Sequence, residues 1–444
     1  MDMNRFREEA FEYALAQGCA AAELVENSGR QFGVGVLKGE IDTYTVSRSR
    51  SLGLRVQLDG KNGYAGTEAP EDPKALVRAA MDNARAVQSE DEHPLAGPAD
   101  YPDTPQPPDA LAGLDEKAKI ELCRELERVT LSLDPRVQRV ASCKVVTAAG
   151  MVSIRNTLGL NAQREEDISC IFVTPILQEG EEVHDGGSFR ARGEARNIEA
   201  CAKEAVEEAA MQFGGKPVAP GPYRVLLRND AAYSLLSAFS GMFSADAAQK
   251  GLSLLAEREG QMIAAPCVRI LDDPLLALNP MAFDDEGVPA RTKAVVEAGR
   301  LETLLHNLKT AKKAGVLTTG NAGRGGAGGP VGVLPANFYI QPGEMDRETL
   351  MQSLGDGLFV TELSGLHAGV NGVSGEFSLL CKGQLVQGGK ALRPAAYITL
   401  SGTFLGLLQA VEAVGSDLRF SLPTGACFGS PSLLIRELMI SGQG

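Results

Sequence analysis

YRVLLRNDAAYSLLSAFSGMFSADAAQKG, residues 223–251, is where the chain changes character. YRVLLR reads as a strand, and the residues from about 230 to 245 read as a helix that follows it directly. CVRILDD (267–273) returns to strand, and Gly-punctuated strands continue from there. Helices are expected at 346–355 and about 404–414, and the last run, SLLIRELMISG (432–442), reads as a buried strand. Immediately upstream, GGKPVAPGPY (214–223) follows a helical pattern with Gly and Pro, the usual helix-stop signal. The reading is α+β in two domains, residues 1–218 and 219–444, each a largely antiparallel or mixed sheet flanked by helices.

The first half repeats an order of elements. A helix fits 4–17, with Phe6, Ala10, Tyr13 and Ala14 on one face. Short strands follow in ELVENS, QFGVGVL and EIDTYTVSRS, and GLRVQLDGKNGYAGT reads as a hairpin turning at Asp59-Gly60-Lys61-Asn62. A second helix fits 72–87, with Pro73 in its first turn, where a missing N–H is harmless. Six prolines between Pro94 and Pro108 predict an extended surface connection. Then come a helix at 115–133, strands across 138–186 and a helix at 196–213. This recurrence suggests a duplicated organisation, although no matching sequence repeat accompanies it.

The composition narrows the function. The chain has 444 residues and a net charge of -14. Such a charge repels a nucleic-acid backbone, and no basic stripe overrides it. No apolar run is long enough for a transmembrane helix, and the amphipathic, acidic start is not a signal peptide. Eight cysteines without a CxxC pair fit reduced thiols in a cytoplasmic protein.

Three further motifs carry a resemblance: FDDEG (283–287), TTGNAG (318–323) and VTEL (360–363). Together they resemble the TldD/PmbA (TldE) family, which contains the two subunits of a zinc metallopeptidase. Gly369-Val370-Asn371, Gly375-Glu376-Phe377-Ser378 and the ending FGSPSLLIRELMISG are similar to the PmbA side. In the catalytic TldD chain the helix after the 223–228 strand carries His-Glu-x-x-x-His. Here the corresponding positions are Asn229, Asp230 and Ser234, and the four histidines (93, 184, 306, 367) stand apart. Asn and Ser are weak neutral oxygen ligands beside the imidazole or thiolate that zinc prefers. Asp230 is one methylene shorter than the Glu that would act on metal-bound water.

The resemblance therefore implies a non-catalytic PmbA/TldE-like partner. It would hold no cofactor itself, zinc being expected only in a TldD-like chain with which it forms half of a hollow dimer. Small, extended or unfolded peptides are the implied substrates, in proteolysis or peptide maturation. Despite the family's link to gyrase modulation, the charge argues against direct DNA binding. Candidate peptide or interface contacts are Asn321, Gly323, Thr361, Glu362, Asn371 and Cys427.

Other motifs carry competing readings. Gly323, Gly325 and Gly328 spell a GxGxxG within the loop Gly320–Gly332, but the loop runs into Pro330 and a strand, whereas a dinucleotide fingerprint must open a helix. That loop is expected to be mobile and near the site or subunit interface. Asp284, Asp285 and Glu286 could form a paired-carboxylate acid/base site but read rather as a solvated turn, and the resemblance implies a structural role for Asp284 or Asp285, such as capping or bonding to Arg291. Cys427, His367 and Cys381 could be imagined as a divergent site, which leaves a homodimeric hydrolase as one alternative. A non-enzymatic homodimeric interaction protein is the other.

Overall fold

The structure is a computed structural model that describes residues 2–88, 91–106, 108–423 and 425–442. Pro107, within the proline-rich connection singled out above, lies outside them. The chain begins with helix α1 (Met3–Ala16) and strands β1 (Ala21–Leu37), β2 (Glu40–Leu58) and β3 (Lys61–Thr67), followed by α2 (Pro73–Ala86). The same order returns in α3 (Glu116–Ser132), β4 (Val137–Asn156), β5 (Asn161–Glu179), β6 (Glu182–Asp185), β7 (Ser188–Ala191) and α4 (Ile198–Ala210). All seven strands form one antiparallel sheet in the order β3-β2-β1-β4-β5-β6, with β7 also on β5. Gly29 of β1 faces Gly150 of β4 at the centre, so the two units meet there as antiparallel neighbours.

The strands are far longer than the short runs expected from the sequence. Helices cover them only at their ends. α1 and α2 pack on Leu24, Leu52, Leu54 and Val56; α3 and α4 pack on Phe32, Val34, Val145 and Ile171. Between these two cores the strands carry mostly small or polar side chains, exposed on β2 and largely half-buried on β1 and β4, so the alternation that marks a half-buried strand lapses although backbone pairing continues. The turns Lys38-Gly39 and Asp59-Gly60 have φ of 54° and 78°, and of 50° and 76°. Positive φ at both central residues is the two-residue hairpin geometry whose twist matches that of the strands.

The second half starts at β8 (Gly221–Leu227), then α5 (Asn229–Phe239), α6 (Ala245–Gln249), β9 (Ile270–Asp272), β10 (Lys293–Glu297), β11 (Arg300–Leu301) and α7 (Leu308–Ala314). β12 (Ala322–Arg324), β13 (Val331–Val333), β14 (Asn337–Ile340), α8 (Arg347–Leu354), β15 (Gly357–Ser364), β16 (Glu376–Gln387) and β17 (Lys390–Thr403) follow. Last come α9 (Phe404–Gln409), β18 (Val411–Val414), β19 (Arg419–Phe420), β20 (Cys427–Ser430) and β21 (Leu433–Gly442). The expected 230–245 helix stops at Phe239 and tightens into a 3-10 turn at 240–243, and the expected 404–414 helix gives way to β18 after Gln409.

β17, β16, β15, β8 and β21 pair in that order, and β17 pairs with β21 again, which closes a barrel. A second sheet runs β11-β10-β9-β14-β20-β19. α5 lies between barrel and sheet. Its Leu235, Leu236 and Phe239 enter the largest core, where Phe239 stacks on Phe404 at 4.7 Å.

The glycine loop is a docked hairpin. β12 pairs with β13, and its tip presses on the first sheet. A Cβ on Gly53 would stand 1.6 Å from the Ala327 oxygen, and one on Gly328 2.6 Å from the Gly66 Cα. Glycine at these places is what allows two backbones to touch.

Candidate functional site

FDDEG is the hub that ties the two halves together. Each of its carboxylates has separate partners, all fixed by the turn. Asp284 accepts the backbone N–H groups of Glu286, Val288 and Ala322 at 2.9–3.0 Å. Burial, together with the neighbouring Glu286 charge, pushes its carboxyl up to about 7, against the pull of those N–H groups. Asp285 takes Arg164 of β5 at 2.8 Å and the Arg324 N–H at 2.8 Å. Glu286, 0% exposed, meets Arg55 of β2 (3.4 Å), the His93 ring and the Leu308 N–H (2.8 Å). Arg55 also donates to the carbonyls of His93 and Pro94.

The expected solvated turn is thus buried. The reason is tertiary: a sheet arginine arrives from elsewhere to neutralise Glu286, and a linker histidine, which burial holds towards its neutral form, arrives to hydrogen-bond it. Arg291 is not its partner and donates instead to the Thr318 carbonyl. The proline-rich connection holds no helix or strand over residues 91–106, and its start is pinned in this cluster, with His93 and Leu95 buried. Sequence reasoning missed His93 and Arg55; neither lies in a motif.

A cavity of about 1570 Å³ opens beside this hub. Its walls are the middle of the first sheet (25–31, 47–51, 148–152, 163–168), the 279–285 segment, 320–324, 334–336 and residues 423, 425 and 426. Side chains there are mostly small or polar, such as Ser47, Ser49, Ser51, Asn27, Gly29 and Gly150. Two strand segments bordering it carry a partner on one side only: residues 40–51 of β2 bond β1 alone, and 161–169 of β5 bond β4 alone, among the described residues. Such edges expose unpaired backbone N–H and C=O groups.

Of the candidate contacts, Asn321 and Gly323 line this cavity. Asn321 is buried and held by Asp272 (2.7 Å) and the Leu334 carbonyl, so it fixes the loop's shape. Thr361 and Glu362 lie on β15, where Glu362 pairs with Lys382 at 3.1 Å. Asn371 forms a turn by accepting the N–H groups of Val373 and Ser374. Cys427 is 0% exposed on β20, its thiol against the Ser421 carbonyl and pushed up by burial to about 12. Cys381 sits in the barrel core, and His367 is exposed in the turn after β15. Among the described residues the three do not converge as a ligand group.

Asn229, Asp230 and Ser234 open α5, and every donor atom among them is engaged. Asn229 donates to the Asp417 carbonyl at 2.8 Å, and its own oxygen accepts the Asp230 N–H. Both Asp230 oxygens face Arg228 at 2.7–2.8 Å, and Arg228 also grips Glu208. Ser234 donates back to the Asp230 carbonyl. Behind them Arg190 and Arg419 share Glu204, whose carboxyl burial would raise but whose arginines hold down to about 2.

A divalent ion does not fit this set. It would meet a guanidinium already on the only carboxylate, and two neutral oxygens committed to the backbone. Among the described residues no three His, Cys, Asp or Glu side chains converge as a ligand group.

The folds of known proteins agree with this architecture. Residues 22–84 match domain 1 of the PmbA/TldA metallopeptidases, 109–213 their central domain and 220–442 their C-terminal domain. The chain belongs to the PmbA/TldA metallopeptidase family. It is 26% identical to the metalloprotease PmbA homolog of Haemophilus influenzae, over 98% of this chain and 95% of that protein. A metalloprotease TldD homolog of Buchnera aphidicola is 25% identical over 75% and 74% of the two chains. Among solved structures, a Thermotoga maritima protein named for modulation of a DNA gyrase superposes with a TM-score of 0.89 at 32% identity, covering 99% of this chain and 100% of its own. TldE of Thermococcus kodakarensis gives 0.89 at 21%, covering 98% and 100%, a likeness of fold. No helix among the described residues is long and apolar enough to cross a membrane.

Proposed function

We propose that this chain is a non-catalytic subunit that pairs with a TldD-like metallopeptidase chain and presents extended peptides to it. The observation that carries the reading is the Arg228–Asp230 pair. Where the catalytic relative would offer a carboxylate to metal-bound water, this chain spends it on a guanidinium at 2.7–2.8 Å. Zinc in the assembly would then belong to the partner chain.

The one-sided strand segments and the small residues of the cavity suit a peptide added as an extra strand. In that mode backbone hydrogen bonds give affinity with little demand on sequence. The buried, inert Cys427 lends no support to a divergent hydrolase, since a thiol nucleophile needs access and a lowered pKa. A reducing, cytoplasmic setting suits the eight free thiols.

The test is co-expression with a TldD-like chain carrying His-Glu-x-x-x-His. We expect a heterodimer by light scattering, one zinc per pair and chelator-sensitive peptidase activity absent from this chain alone. Chelator-sensitive turnover by this chain alone would overturn the proposal. So would failure to associate at micromolar concentration, which favours the homodimeric interaction protein.

A further inference from the structure

Six arginines lie in the segments that wall the cavity: Arg30, Arg48, Arg50, Arg164, Arg192 and Arg324. Four are neutralised in place. Arg50 pairs with Glu26 at 2.5 Å, Arg164 with Asp285 at 2.8 Å and Glu166 at 2.9 Å, Arg192 with Asp167, and Arg324 with Glu23. Arg30 and Arg48 make no ion pair or side-chain hydrogen bond with any described residue.

Those two are also direct cross-strand partners in the β1–β2 register. Residues so placed have Cβ atoms about 4.5–5.5 Å apart, and like charges there repel. The carboxylates nearest in the ladder are already taken. Glu26 belongs to Arg50. Asp167, in the same row through Ala149, belongs to Arg192. Both arginines are exposed on the helix-bearing face of the sheet, the face of Phe32 and Leu52 and not that of Val25 and Gly53, and Arg48 stands within the one-sided 40–51 segment of β2. The sheet therefore offers two unmatched guanidinium forks beside the edge on which an extended chain can add.

We propose that Arg30 and Arg48 jointly hold a carboxylate of the bound peptide. The inference rests on the peptide-presenting reading and refines it: the favoured substrates carry an anionic group in register with this pair. The carboxylate is either the peptide's C-terminus or an Asp or Glu side chain. Two forks around one carboxylate give charge-assisted hydrogen bonds and relieve the repulsion between them. The pair thereby fixes how far the peptide slides along the strand, which backbone bonding alone leaves open.

The experiment uses the full-length chain and short unstructured peptides bearing a neutral dye, read by fluorescence anisotropy. Three peptides share one neutral sequence: a free C-terminal acid, a C-terminal amide with one internal Glu, and an amide with Gln in its place. We expect at least one anionic peptide to bind more tightly than the neutral amide, and which one identifies the carboxylate. Arg30→Gln and Arg48→Gln should each erase up to about fivefold of that preference, the span of an exposed ion pair. Arg50→Gln, whose guanidinium is already matched, should leave it intact. Raising salt should shrink the preference, since exposed charges are screened.

Equal binding of all three peptides, or a preference that survives the Arg30→Gln/Arg48→Gln double variant, would remove the arginine pair and leave the peptide reading standing. Binding of none of them would sink both.

Discussion

Replacing Glu286 by Gln should be among the most damaging single changes in this chain. The carboxylate is 0% exposed, and so is the Arg55 guanidinium it faces at 3.4 Å. Gln keeps the shape and an acceptor for the Leu308 N–H but removes the charge. Arg55 would still donate to Asn62 and to the carbonyls of His93 and Pro94, none of them charged. Stranding one partner of a buried pair costs about 3–5 kcal/mol. The retained carbonyl bonds argue for the lower end, about 3 kcal/mol. Removing both charges by Arg55→Met/Glu286→Gln should recover at least about 1 kcal/mol, because no uncompensated charge is left.

Urea unfolding of wild type, both single variants and the double variant gives the coupling directly. Fluorescence and circular dichroism should be followed together, because a chain of this size need not unfold in one step. Backbone hydrogen exchange should also rise at 93–95 and 284–288 in Glu286→Gln, since the cluster pins both segments. A loss below about 1 kcal/mol for Glu286→Gln, or additive single losses, would refute the view that this ion pair joins the two halves.

Further outcomes follow from the same geometry. Glu204 has a folded carboxyl held down to about 2 from an ordinary 4.5, so its contribution is fully present above pH 4.5 and is lost as pH falls towards 2. Glu204→Gln should flatten that part of an acid-unfolding curve, and an unchanged acid limb would count against it. Asp284 runs the other way: with its carboxyl raised from 3.8 to about 7, its protonated form favours the fold below pH 3.8, and this is lost as pH rises through 7. Isotope-edited infrared spectroscopy should find its carboxyl titrating near neutrality, and a band ionised throughout at pH 5 would contradict the assignment. Gly53→Ala places a methyl against the Ala327 carbonyl and should cost roughly 1–3 kcal/mol while loosening the 322–333 hairpin, measurable as faster exchange there. The variant Asn229→His/Ser234→His should still fail to take up stoichiometric zinc by metal analysis, because Arg228 keeps the Asp230 carboxylate.

Local patterns were enough for much of this molecule. The amphipathic helices at 4–17, 72–87, 115–133 and 196–213 fall within a few residues of α1 to α4, since their apolar stripes and the capping Asp72, Asp115 and Asn197 are written in consecutive residues. The order of elements in the first half, the Asp59-Gly60 turn and the strand before residue 229 were legible for the same reason. So was the family, through three short motifs. What sequence could not decide was how distant segments neutralise one another. Buried charge is stable only beside its counter-charge. Glu286 therefore reads as a surface residue until Arg55, 231 positions away, and His93, 193 positions away, are brought to it. The long exposed strands were hidden likewise, because backbone pairing leaves no mark on side chains that face water. The cavity exists only once the 279–285 and 320–336 segments stand over the middle of the sheet, and the unmatched Arg30 and Arg48 emerge only once β1 and β2 pair in register.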